Sequence, residues 1–288
     1  MIKHLVIPAG GLHFFILYGA LKYLNMKEVW KLKDIESIYG TSCGALLAFI
    51  ISMDLEWEYI DNYLINRPWH TVYNITPDMF INAIEAKGLI NKNYLVTFFK
   101  PLLRLKEWNE NITLKELYEK TNINLYFYGT RLDNFTKSVF NHITEPNMPV
   151  LTAIYISATL PPLLEPIKWK NISYIDGGVL VPNPIQECIT HNNCPKEMLT
   201  FKLIYKDDIF NFEKANIFGY LQKIITNLVT FIQSEEVDTP NQIIVEFNNL
   251  YKLSYTDYLN DKELRKKTIE DGYTYAKLYI NYNTSSIN

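Results

Sequence analysis

Ser42 stands in the pentapeptide Gly40-Thr41-Ser42-Cys43-Gly44, a Gly-x-Ser-x-Gly pattern. That pattern places a serine on a sharp strand-to-helix turn, where the two glycines relieve crowding and the hydroxyl projects at a helix N-terminus. A serine so placed is a candidate nucleophile for acyl transfer. It needs a base to take its proton and N–H donors to hold the oxyanion. Gly10 and Gly11 form a second early glycine turn and are the candidate donors. The pair is equally readable as a plain turn, because a full G-x-G-x-x-G fingerprint is absent. The candidate bases are five histidines, His4, His13, His70, His142 and His191, and one aspartate, Asp176, in the run Asp176-Gly177-Gly178.

These residues need elements to position them. Leu5-Val6-Ile7 reads as a short buried strand ending in the Pro8-Ala9-Gly10-Gly11 turn, followed by a helix over 12–24. A second strand over 35–39 runs directly into the pentapeptide, and 45–51 reads as a buried helix. This β-turn-α, β-turn-α start predicts parallel strands in a helix-covered sheet. Both glycine turns then fall at strand C-termini, the side on which open α/β sheets hold their ligands. Further strands are expected over 125–128, 139–140 (an edge), 172–175, 199–205 and 242–247, with helices over 149–160, 215–233 and 263–279. Residues 54–120 read as helical and irregular. Their aromatics, Trp57, Tyr59, Tyr63, Trp69, Phe80, Phe98, Phe99 and Trp108, suit a lid or interfacial face and suit a plain core equally. No repeat or low-complexity linker marks a second domain. The expectation is one domain over 1–288, with its motifs between about 4 and 205 and the remainder as a C-terminal strand and helix part.

The order Ser42, Asp176, His191 can be written as an α/β-hydrolase triad. That fold, however, places several strands before its nucleophile. Only 41 residues precede Ser42, enough for two strands and one helix, so the topology does not fit. His191 lies beside Asn192, Asn193 and Pro195 and reads as a surface-turn residue. Asp176 is the better partner: it ends an apolar strand, and the glycines after it let the carboxylate sit in a tight turn. Asp-Gly is also the commonest turn signature, so the dipeptide alone decides nothing.

Composition bounds the rest. The 288 residues are 48% hydrophobic and 20% charged, an ordinary globular balance. A net charge of −3 gives no electrostatic reason for a nucleic-acid partner, and the basic run Arg265, Lys266, Lys267 reads as a solvated helix face. Cys43, Cys188 and Cys194 have no CxxC spacing, which suggests neither a disulfide framework nor a zinc site and fits a reducing compartment. Cys43 reads as a small packing residue, since a serine already occupies the turn. No stretch reaches the eighteen or so apolar residues that span a bilayer. The apolar start over 1–24 imitates a signal peptide, but Gly10, Gly11 and Lys22 suit a strand-turn-helix unit better. The 21 Tyr, 15 Phe and 5 Trp supply many residues suited to a membrane interface.

Taken together, the early glycine turn, the Gly-x-Ser-x-Gly and the distant Asp-Gly-Gly resemble the patatin-like phospholipases. Between them, Lys87-Gly88-Leu89-Ile90 and Thr113-Leu114-Lys115-Glu116-Leu117 are similar to that family's connecting segments. The run Ala153-Ile154-Tyr155-Ile156-Ser157-Ala158-Thr159-Leu160-Pro161 resembles its A-x-x-A-S-x-A-x-P helix, and Asn183-Pro184 follows the Asp-Gly-Gly. The resemblance implies a three-layer α/β/α fold with a mostly parallel central sheet. It also implies a Ser42–Asp176 dyad without histidine, an acyl-enzyme, and an oxyanion held by the Gly10–Gly11 turn. Gly40, Gly44, Gly177 and Gly178 would be motif glycines. The implied substrate is a phospholipid or other lipid acyl ester at a membrane or micelle interface, with no cofactor, no metal and a cytoplasmic or membrane-peripheral location. One departure stands out. Where the family reads G-G-G-x-Arg/Lys-Gly, this chain has Ala9-Gly10-Gly11-Leu12-His13-Phe14, so His13 replaces a fixed cation and is either an auxiliary site residue or a packed histidine. Two other readings share the same residues: a soluble esterase or thioesterase, and a non-catalytic lipid-binding relative.

Overall fold

In a computed structural model, described over residues 1–73, 76–205, 213, 217–233, 237–247 and 255–285, the chain builds one mixed sheet. The strands are β1 (His4–Ile7), β2 (Ser37–Gly40), β3 (Asn124–Arg131), β4 (Thr136–Phe140), β5 (Ile167–Trp169), β6 (Ile172–Asp176), β7 (Met198–Tyr205) and β8 (Gln242–Phe247). Hydrogen-bonded neighbours run β5-β6-β3-β2-β1-β7-β8, with β4 also on β3. The pairs from β3 through β2, β1 and β7 to β8 are parallel, as the alternating β-turn-α start requires. Strands β4, β5 and β6 run antiparallel; strands were expected at 139–140 and 172–175, but neither their direction nor β5 was.

Helices cover both faces, giving a three-layer α/β/α arrangement. Alternation along the strands decides which side chain goes where. Leu5, Ile7, Ile38, Leu125 and Phe127 enter the larger core beneath α1 (Phe14–Met26), α2 (Cys43–Ser52) and the helices Lys92–Leu105 and Val150–Ala158. Val6, Tyr39 and Tyr128 point the other way, into a smaller core with Ile185 and Cys188 of the helix Ile185–Thr190. The C-terminal helix Lys262–Ser285 docks on α1 at very close range. A Cβ on Gly19 would meet the Ile269 carbonyl oxygen at 2.1 Å, and one on Gly272 would meet the Ile16 carbonyl oxygen at 2.2 Å.

The interval 54–120 resolves into the helices Trp57–Asn66, Trp69–Val72, Pro77–Ala86, Lys92–Leu105 and Leu114–Thr121. Its aromatics divide unevenly: Tyr63, Trp69 and Phe99 are buried, Trp57, Phe98 and Trp108 pack on the core, and Tyr59 and Phe80 are exposed. Most of that set is therefore core. The helix expected over 215–233 spans Ile217–Gln233, and 215–216 lie outside the described residues. Arg265 corrects the solvated-face reading, because it is buried while Lys266 and Lys267 are exposed. Its guanidinium donates to the carbonyls of Ile65, Arg67, Tyr258 and Leu259, which supply the acceptors that water otherwise would.

Candidate active site

The register of β3 brings two distant motifs together. Phe127 pairs with Gly40 of β2 and also with Phe140 of β4, so β2 and β4 lie on opposite edges of β3. Two residues on, Gly129 pairs with Ser138 of β4 and with Asp176 of β6. Strand β6 therefore takes up the edge of β3 that β2 leaves at Gly40. The end of β6 thus arrives where the pentapeptide begins.

The pentapeptide is folded tightly on itself. A Cβ on Gly40 would stand 2.5 Å from the Gly44 carbonyl oxygen, and one on Gly44 would stand 2.2 Å from the Ile7 carbonyl oxygen at the end of β1. Only glycine fits either place. Ser42 sits between them at φ 55°, ψ −120°, a left-handed conformation that costs a non-glycine residue on the order of 1–3 kcal/mol. Its N–H donates to Ser157 Oγ at 3.0 Å, and the turn closes with Gly44 N–H donating to the Thr41 carbonyl at 2.8 Å.

The Ser42 hydroxyl donates to Asp176 Oδ2 at 2.8 Å. The other carboxylate oxygen of Asp176 accepts from Gly178 N–H at 2.6 Å, and its backbone is pinned by Thr159 O and Thr130 Oγ1. Gly177 is fixed by crowding, since a Cβ there would meet the Tyr128 carbonyl oxygen at 2.2 Å. Asp176 is only 2% exposed. Burial pushes its carboxyl up to about 7, against the pull of the Gly178 amide and the Ser42 hydroxyl. An aspartate at its ordinary value is a weak base; one near 7 is suited to proton transfer at neutral pH.

The glycine turn reaches the same place. Gly11 has φ 52°, and the amides of Gly10, Gly11 and Gly44 face the Cys43 sulfur next to Ser42. Burial and the nearby Asp176 push the Cys43 thiol up to about 12 despite those amides, so it stays an un-ionised packing group. His13 is buried, its ring edge-on to Tyr205 at 5.4 Å. Burial pulls its pKa down to about 3, so it is neutral and supplies no fixed charge. The remaining histidines lie elsewhere: His4 bonds Ser37, His142 stacks on Tyr118, His70 is exposed, and exposed His191 reaches the Tyr39 hydroxyl at 2.8 Å. Both Asp176 carboxylate oxygens are taken by Ser42 and Gly178. Among the described residues no cluster of three or more His, Cys, Asp or Glu is placed to hold a metal ion.

The sequence model described as "Patatin-like phospholipase" matches residues 5–189. The chain belongs to the patatin-like phospholipase family. Two viral relatives extend the match. A "Probable lipid hydrolase 463L" of Invertebrate iridescent virus 6 is 27% identical over 227 residues, covering 79% of this chain and 77% of the relative. "Uncharacterized protein R571" of Acanthamoeba polyphaga mimivirus is 24% identical over 184 residues, 64% of this chain and 60% of that protein. Among solved structures, VipD from Legionella pneumophila shares the fold, with a TM-score of 0.57 at 16% identity over 98% of this chain and 67% of that one. The patatin-like motifs are the ones the fold gathers. Ser157, Thr130 and Thr159 joined them only in three dimensions. Ser157 and Thr159 carried a signal, their place in the run resembling the A-x-x-A-S-x-A-x-P helix, whereas Thr130 carried none.

Proposed function

We propose that this chain hydrolyses acyl esters of lipids through Ser42 and Asp176. The observation that carries the reading is the 2.8 Å hydrogen bond between the nearly buried Ser42 hydroxyl and Asp176, within a patatin-like frame. Ser42 Oγ attacks the ester carbonyl as Asp176 takes its proton, and the Gly10–Gly11 amides hold the oxyanion. Asp176 returns that proton to the leaving alcohol, which departs and leaves Ser42 acylated. Water then attacks the acyl-enzyme with its proton passing to Asp176, the acid leaves, and Ser42 recovers its hydrogen.

Lipid is the substrate class this reading favours, and helix Ile217–Gln233 supports it. Its exposed Ile217, Leu221, Ile224 and Leu228 recur at helical spacing, and the helix packs beside the Gly177–Val179 turn that follows Asp176. An apolar stripe next to the site suits substrate presented at a membrane or micelle surface, with the protein peripheral to it. Among the described residues no helix is long and apolar enough to cross a bilayer.

A fluorophosphonate probe tests the chemistry. It should label the wild type and fail on Ser42→Ala, while Asp176→Asn should lose roughly 10²–10⁴-fold in turnover. A wild type that takes no label, or labelling that survives Ser42→Ala, overturns the reading. Comparing one ester below and above its micellar concentration tests the substrate class. Rate enhancement on aggregation is expected, and a preference for the monomer would favour a soluble esterase.

A further inference from the structure

Tyr255 opens the short helix Tyr255–Asn260, well beyond the segment that matches the family. Its hydroxyl oxygen lies 3.0 Å from the point where a Cβ on Gly11 would stand. Burial, with Cys43 and Asp176 nearby, raises the pKa of its phenol. One hydroxyl from the C-terminal part of the chain thus touches the glycine turn and lies within electrostatic reach of the elbow and the aspartate.

This placement is built, not incidental. Tyr258, one turn along the same helix, stacks face to face on Phe15 of α1 with ring centroids 5.3 Å apart. Buried Arg265 donates to the carbonyls of Tyr258 and Leu259 on one side and of Ile65 and Arg67 on the other. A single guanidinium therefore ties this helix to the end of the helix Trp57–Asn66. Among the described residues no acceptor is hydrogen-bonded to the Tyr255 hydroxyl, so its proton is available to a bound molecule.

We infer that the Tyr255 hydroxyl is a catalytic donor, giving a hydrogen bond to the ester oxygen that becomes negative beside the Gly10–Gly11 amides. The inference rests on the ester-hydrolase reading above. Three features converge on it. The hydroxyl stands against Gly11, one of the two residues whose amides are proposed to hold the oxyanion. At the turn, His13 stands where the family pattern has a fixed cation, and burial keeps it neutral. Burial raises the phenol's pKa, so the group stays protonated and can donate but not act as a base. Tyrosine hydroxyls are among the side chains that stabilise such oxyanions.

Tyr255→Phe removes the oxygen and keeps the ring. With a chromogenic monomeric acyl ester, kcat should fall roughly 10²-fold while KM stays within about twofold, and fluorophosphonate labelling should slow in parallel. The pH–rate inflection set by Asp176 should stay where it is in the wild type, a readout that a collapsed site would move. Unchanged kcat overturns the inference. So does a rise in KM alone, which would make the hydroxyl a ground-state contact, or a displaced inflection, which would make it structural. If the wild type itself neither turns over ester nor takes the label, the ester-hydrolase reading fails and this one falls with it. An active wild type matched by Tyr255→Phe sinks the Tyr255 role alone.

Discussion

Asp176 carries two opposed demands, and they make its behaviour with pH predictable. In its proposed role as the base it must be ionised, and burial holds its carboxyl near 7. The turnover number per KM should therefore rise with pH and level off above about 7, as an initial-rate profile would record. A profile that is flat between pH about 5 and 8 would mean another group takes the proton. Stability runs the other way. The folded value lies above the ordinary 3.8, so the folded chain keeps this proton where the unfolded chain has lost it. Asp176 therefore subtracts stability progressively from pH about 4 to about 7, and above 7 the full penalty stands, on the order of 4 kcal/mol. Asp176→Asn should then melt higher than the wild type at pH about 8 and nearly level with it at pH about 4, while losing activity at pH about 8, where the wild-type carboxylate is ionised. A variant that melts lower at pH about 8 would contradict the burial argument. The strained backbone of Ser42 adds to the same pattern, in which the site is held by the surrounding fold at some expense to it.

At the scale of elements, the sequence was most legible where period and punctuation agreed. The runs ending at Gly10–Gly11 and at the pentapeptide have apolar strands, glycine turns and apolar helices in order, and β1, α1, β2 and α2 formed within a few residues of expectation. The antiparallel flank was hidden for a physical reason. Strand β5 is three residues long, and β6 gains its place only from the edge of β3 that β2 vacates. Tyr255 was illegible for a similar cause, because a six-residue helix has little periodicity and the ring it packs on, Phe15, is remote in sequence. Arg265 itself looked like part of a charged run, and only the carbonyls gathered around it explain its burial. The contact of α1 with the C-terminal helix was equally invisible, since Gly19 and Gly272 announce no partner. Gly272→Ala should push a methyl to 2.2 Å from the Ile16 carbonyl oxygen, and the helices must part. A loss of about 1–3 kcal/mol, seen as a melting temperature lower by roughly 3–10 °C, is expected. An unchanged melting temperature would show that the helices are not in such close contact.

For the whole molecule, the question is whether the chain beyond the motifs is an accessory or a part of the same folding unit, and we propose the latter. The family match stops at 189, and every motif residue lies before it. Yet β8 extends the parallel sheet by pairing with β7 from Thr200 to Tyr205. The helix Lys262–Ser285 closes over α1, the first helix of the chain, with Ile269 and Ala276 fully inside the larger core. Through Arg265 it also fixes the segment that carries Tyr255 to the glycine turn. A chain ending at residue 205 would leave the apolar side of α1 and the edge of β7 uncovered. Exposed apolar surface of that kind costs about 25 cal/mol per Å² left in water, against a total stability of only about 5–15 kcal/mol for a typical fold. The full chain should therefore unfold in one calorimetric transition whose van't Hoff and calorimetric enthalpies agree. The piece 1–205 should show no cooperative transition and take no fluorophosphonate label, although it holds both Ser42 and Asp176. Two separate transitions in the full chain, or a 1–205 piece that melts cooperatively and labels, would divide the molecule where the motifs end.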